Sequence, residues 1–257
     1  MAGASWYSLT KDEQYSFELL RGSMLLSQGL KNQIATALYE GLIEVGYVEG
    51  LLERLGQQAV AQYLAKRGFV GKLSKRVADF GEIVAGKLLG DEEGVKQPIH
   101  KLRYRDKATW SMRLTDVFTI VMVKDQIEAL CFTSVRSGIT SPNSDVAVSG
   151  YQQLVEDHKV EHPEILFFAS EQLYREGLFA EVEQFDRVLS SRGDVQRRFR
   201  LVLVFDRKAW KEKALSQLND HLSAELPEFR AYLLVCDSMR ELVEGCYQVA
   251  TARCYNR

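Results

Sequence analysis

Five consecutive apolar residues, Leu201-Val202-Leu203-Val204-Phe205, lie between segments of helical periodicity. A run apolar at both parities reads as a strand covered on both faces, because successive side chains of a strand point to opposite sides. Arg230 to Cys236 and Ile165 to Ala169 read the same way. Helical patterns follow each of these runs, at Glu181 to Leu189, Ala209 to Leu222 and Met239 to about Thr251. Strands alternating with helices imply an α/β fold, a sheet covered on its faces by helices.

Upstream, Val117 to Val123 and Ala129 to Val135 are rich in β-branched and aromatic residues, with Lys124-Asp125 between them, which predicts a β-hairpin. A helix is expected over Asp145 to Lys159. The first ninety residues read as helical: Phe17, Leu20, Met24 and Leu25 recur at three-to-four spacing, as do Ile34, Leu38, Leu42 and Val45. A last helix is expected from about Ser74 to Leu89, with Val77, Phe80, Val84 and Leu88 in one stripe. The expected organisation is a helical N-terminal cap over residues 1–70 and an α/β core over residues 71–257.

Composition narrows the function classes. At 257 residues the chain can bury a substantial core. A net charge of -2 argues against a generally basic nucleic-acid binder, though not against local patches. The start of the chain has no apolar run behind a cationic segment, and no stretch reaches about 18 consecutive apolar residues, so neither a signal peptide nor a membrane span is expected. Cys131, Cys236, Cys246 and Cys254 fit no zinc spacing, and reduced core thiols in the cytoplasm are the expectation. His158 and His162 are four apart but lack an evident third ligand. A phosphate loop, a dinucleotide fingerprint and a Gly-x-Ser-x-Gly elbow are all missing from the sequence.

Three short motifs carry chemistry. Glu82 lies on the Ser74 to Leu89 helix beside its apolar stripe. Asp116 opens an apolar strand, where aspartate is disfavoured. Ser134 and Arg136 are two apart on the second hairpin strand and so share a face. Taken singly, Glu82 reads as a solvated helix residue and Asp116 as a turn cap. In this order, helix, strand, strand, helix, they trace the sequence of a PD-(D/E)XK, or restriction-endonuclease-like, mixed sheet. Phosphodiester cleavage on such a core uses Mg²⁺ held by two or three carboxylates, which polarises the phosphate and activates water. A lysine beside the water stabilises developing charge. Serine is a poor Mg²⁺ ligand, and arginine is a different cation from lysine. Glu156, on the next helix, is the candidate for a migrated acid.

These motifs resemble the nuclease subunit of the Hachiman antiphage-defence family. Arg76-Val77-Ala78-Asp79-Phe80-Gly81-Glu82 is similar to that family's Gly-Glu helix, and Pro98-Ile99-His100-Lys101-Leu102 to its Pro-x-x-Lys-Leu segment. Thr115-Asp116-Val117 resembles its Asp strand, and Cys131 to Gly138 occupies its Glu-x-Lys strand, with Ser134 and Arg136 in place of the Glu and Lys. The resemblance implies a cytoplasmic prokaryotic defence subunit that acts on DNA with a helicase partner. Glu82 and Asp116 would be Mg²⁺ ligands, Arg136 would contact the scissile phosphate and Ser134 would position water. A non-catalytic member that keeps the fold to bind DNA or the helicase is the alternative.

Lys101, Arg103, Arg105 and Lys107 alternate along the chain, and an extended segment would put all four on one side, as a track for a phosphate backbone. A charge-protected edge strand accounts for them equally well. Trp110 and Arg113 could extend that surface. Arg192, Arg197, Arg198 and Arg200 read as a solvated loop before the Leu201 run.

Overall fold

The computed structural model describes residues 6–66, 69, 71–104, 115–159, 163–190, 195–223 and 226–255. Among them one mixed sheet of six strands carries the architecture. The strands are β1 (Tyr7–Asp12), β2 (Glu18–Met24), β3 (Val117–Val123), β4 (Gln126–Gly138), β5 (Gln196–Asp206) and β6 (Phe229–Cys236). Their order across the sheet is β1-β2-β6-β5-β4-β3. The four central strands run parallel, and β1 and β3 are antiparallel edges.

Among the described residues eight α-helices cover the two faces: α1 (Gln28–Leu42), α2 (Val45–Lys66), α3 (Leu73–Glu93), α4 (Val146–Lys159), α5 (Pro163–Arg175), α6 (Phe179–Ser190), α7 (Lys213–His221) and α8 (Met239–Arg253). The two parities of the Leu201 run divide between two cores. Val202 and Val204 join α1, α2, α3 and α8 on one face, while Leu201, Leu203 and Phe205 join α4, α5, α6 and α7 on the other. All five are buried, as the sequence pattern requires. Among the described residues no helix is long and apolar enough to cross a membrane. The four cysteines are buried and form no disulfide with one another, and burial pushes the Cys131 thiol up to about 11.

The hairpin forms as expected. Lys124 and Asp125 both adopt positive φ, 48° and 59°, the turn that matches the twist of the flanking strands. Helices expected near Ser74–Leu89 and Asp145–Lys159 are present as α3 and α4.

Three expectations fail for identifiable reasons. Phe17 to Met24 forms no helix. Glu18–Met24 is β2, paired in parallel with β6 and in antiparallel with β1, so the described part of the N-terminal 70 residues has two sheet strands ahead of its helices. Leu19 faces one core and Met24 the other, and burial on both faces mimics a helical stripe over so short a run. Ile165 to Ala169 lies inside helix α5. Ile165, Leu166, Ala169 and Leu173 are buried while Phe167 is exposed, which is helical spacing, and Pro163 opens the helix. Finally, Arg197, Arg198 and Arg200 belong to β5, and Arg200 is buried. Arg192 lies outside the described residues.

Candidate functional site

The site is built where β3 begins. Thr115 and Asp116 precede the strand and attach their side chains to β4, which runs on past the end of its partner. Thr115 Oγ1 accepts the Thr133 N–H at 2.7 Å and donates to the Thr133 carbonyl at 2.8 Å. Asp116 Oδ2 accepts the Val135 N–H at 2.8 Å. Asp116 therefore continues the ladder with its carboxylate, a capping role that explains an aspartate at the mouth of an apolar strand.

Arg136 closes over the same oxygen. Its Nη1 donates to Asp116 Oδ2 at 3.4 Å and to the Val135 carbonyl at 3.0 Å, and its Nη2 donates to Gln153 Oε1 at 2.9 Å. Both charged side chains are about three-quarters covered, 25% exposed for Arg136 and 23% for Asp116. Ser134 is fully buried and donates to Gln153 Oε1 at 3.4 Å. Asp116, Arg136, Gln153 of α4 and Ser134 thus form one hydrogen-bonded chain, in which Arg136 joins Asp116 to Gln153 and Gln153 joins Arg136 to Ser134.

Sequence reading missed Gln153. Its signal is Gly150, a glycine inside a helix, which marks close backbone approach. A Cβ there would stand 2.5 Å from Leu201 Cδ1 and 3.5 Å from Ser134 Oγ. The residue one turn later on the same face is Gln153.

Glu82 reaches the same stretch of β4 through its neighbour. A Cβ on Gly81 would stand 2.6 Å from Ser137 Oγ and 3.4 Å from Val135 Cγ1, so α3 lies directly on β4 there. Ser137 Oγ donates to the Val77 carbonyl at 3.0 Å and fixes the crossing. Glu82 itself is half-buried. An open cleft of about 340 Å³, lined by Arg136, Ser137, Thr140, Asn143, Asp145 and Ser149 among others, adjoins the group.

The basic row does not form a track over its described part. Lys101–Tyr104 is a 3-10 turn, in which alternate residues do not share a side. Arg103 donates to the Glu40 carbonyl at 2.8 Å and pairs with Glu176 at 3.1 Å. Lys101 turns inward and donates to the Thr115 carbonyl at 2.9 Å, one residue before Asp116 in the chain. Arg105, Lys107, Trp110 and Arg113 lie outside the described residues. His158 packs its ring on Phe199 at 5.1 Å, and His162 is outside the described residues.

A divalent cation fits this donor set poorly. The Oδ2 of Asp116 is shared by an N–H and a guanidinium, Ser134 is buried on Gln153, and Lys101 and Arg136 already supply positive charge. Among the described residues no three His, Cys, Asp or Glu side chains cluster as a metal site would need.

His100, beside this segment, is held neutral. Burial, with help from the Arg103 charge and against that of Glu176, pushes its pKa down to about 4. The unfolded chain takes that proton near 6.5. Stability should therefore fall as pH drops from about 6.5 to about 4, and be unaffected by His100 above that window. Melting temperatures from pH 7.5 to 4.5 should decline less steeply for His100→Gln than for wild type; parallel declines would contradict this.

No curated protein matches the chain. The family model of HamA matches residues 27–250, from the start of α1 into α8, with β1 and β2 before the match. With most of its length covered, the chain belongs to the HamA family, the Hachiman antiphage-defence subunit.

Proposed function

We propose that this HamA chain is a Hachiman subunit whose restriction-endonuclease-like core engages DNA together with a helicase partner, and that its Asp116–Arg136 site holds without cutting. The order of elements supports the core assignment: α3 with Glu82, then the β3–β4 hairpin with Asp116, Ser134 and Arg136, then α4 and the parallel strand β5. One observation carries the non-cleaving reading. The Arg136 guanidinium sits 3.4 Å from Asp116 Oδ2, where a catalytic member would be expected to place a divalent cation. A fixed guanidinium neutralises the carboxylate but cannot activate water, because it stays protonated.

A second reading keeps catalysis. The Arg136–Asp116 contact is long, and each side chain is about a quarter exposed, so the guanidinium can swing toward a phosphate and leave Glu82 and Asp116 to a Mg²⁺ ion. Lys101 would then stand in for the family lysine. Incubation with supercoiled and single-stranded DNA separates the two. Our reading expects equal, background-level nicking with Mg²⁺ or Mn²⁺ by wild type and by Asp116→Asn, alongside stable association with the helicase subunit. Metal-dependent cutting abolished by Asp116→Asn would establish the second reading instead.

A further inference from the structure

The outer face of the α5–α6 hairpin carries four large apolar side chains in the open. Phe167 is 60% exposed, Tyr174 62%, Leu178 39% and Phe179 58%. The fold puts them there. α5 turns Ile165, Leu166, Ala169 and Leu173 into the core, which leaves Phe167 and Tyr174, seven residues apart, on the opposite side. The turn to α6 is fixed: the Gly177 N–H bonds the Tyr174 carbonyl at 3.1 Å and the Leu178 N–H bonds the Leu173 carbonyl at 2.9 Å. Gly177 takes the φ of 76° that this closure needs. The turn sets Phe179 edge-on against Tyr174, with ring centres 5.4 Å apart. Exposed rings held by a fixed turn, two of them in contact and the third two turns along the same helix face, are the kind of apolar surface that proteins use for association.

The surrounding charge says what fits on it. Residues 163–190 hold six acids, Glu164, Glu171, Glu176, Glu181, Glu183 and Asp186, against two arginines. Arg175 is paired with Glu171 at 2.5 Å, Arg187 with Glu183 at 3.8 Å and, from outside the hairpin, Arg103 with Glu176 at 3.1 Å, so the surplus negative charge comes from Glu164, Glu181 and Asp186. An acidic rim repels a phosphate backbone and an anionic membrane alike. In a two-fold contact with a second copy, the same carboxylates would face each other. A protein surface with lysines or arginines around apolar pockets matches both the rings and the rim.

We propose that the α5–α6 face docks a protein partner that presents basic residues around apolar pockets. The proposal rests on the reading of the chain as one subunit of a complex, and it names the surface used. α5 and α6 pack on the sheet face opposite α3, so a partner seated there does not cover the helix that carries Glu82.

The test places the photoreactive residue p-benzoylphenylalanine at position 167, 174 or 123 of the full chain, produced together with the helicase subunit. Position 123 is the control, since Val123 is 45% exposed at the β3–β4 turn. Irradiation is expected to join the helicase subunit to the chain from 167 and 174 but not from 123, with the adducts next to lysine or arginine. Phe167→Ser, Tyr174→Ser and Phe179→Ser together are expected to raise the dissociation constant more than about tenfold. An intact complex with no adduct at 167 or 174 overturns the surface and leaves the complex standing. Adducts only to a second copy, or to DNA, overturn it as well. A chain that forms no complex with the helicase subunit removes both the surface and the reading beneath it.

Discussion

Arg200→Ala should cost about 3–5 kcal/mol of folding stability, the loss typical when one partner of a buried ion pair is removed. Arg200 projects from β5 and meets Glu93 at the end of α3 in a forked pair, Nε to Oε1 at 2.5 Å and Nη2 to Oε2 at 2.7 Å. Their side chains are only 4% and 6% exposed. Burial alone would raise the Glu93 carboxyl, yet the hydrogen bonds and charge of Arg200, with Tyr232 and Arg230 behind them, hold it below the ordinary carboxylate range. Without the guanidinium, Glu93 is left buried with the Tyr232 hydroxyl, which donates to Oε1 at 2.6 Å, and with Arg230 Nη1 at 3.7 Å, a contact too long to replace the forked pair. The carboxylate must then protonate or break out to water. Urea denaturation measures the cost directly. The double variant Arg200→Met, Glu93→Leu should recover most of it, because no charge remains unpaired. A loss below about 1 kcal/mol in the single variant would mean that the pair is solvated in solution.

Gly81→Val is the second large effect, about 3 kcal/mol at the upper end of the usual cost of overpacking. The first atom of the new side chain would stand 2.6 Å from Ser137 Oγ and 2.7 Å from Ser137 Cβ. Rotating the hydroxyl relieves the first clash but not the second, so α3 must lift from β4. That displacement carries Glu82 away from Val135, the residue to which Asp116 is bonded, and breaks the Ser137–Val77 hydrogen bond. Removing the opposing Cβ should restore contact: Gly81→Ala combined with Ser137→Gly is expected to be more stable than Gly81→Ala alone. If Ser137→Gly brings no rescue, the close approach of α3 and β4 is misassigned.

These two positions explain how α3 is held. Gly81 lets the helix lie on β4, and Glu93 ties its end to β5. The sequence announced the helix through Val77, Phe80, Val84 and Leu88, all buried in one core, because a stripe on one helix face is a local pattern. It could not announce the Arg200 pair, because Glu93 and Arg200 are 107 residues apart and a basic run before a strand looks like a wet loop from either end. The same limit explains Ile165 to Ala169. Five apolar residues fit a buried strand or a helix equally well, and only the tertiary surroundings expose Phe167 and decide for α5. In the site, Asp116 was visible as an acid out of place at a strand mouth. The groups around it were not: Gln153 holds Arg136 and Ser134 from a helix, and Lys101 holds the Thr115 carbonyl from a 3-10 turn, approaches that depend on Gly150 and on the packing of Leu102.

The proposed non-cleaving site rests on the Arg136 guanidinium, 3.4 Å from Asp116 Oδ2, taking the place of a divalent cation. Mn²⁺ titration followed by electron paramagnetic resonance tests it most directly, since free and protein-bound ions give distinct signals. Wild type and Asp116→Asn are expected to give the same titration, with no ion held at this site. One Mn²⁺ bound per chain by wild type and lost in Asp116→Asn would contradict it.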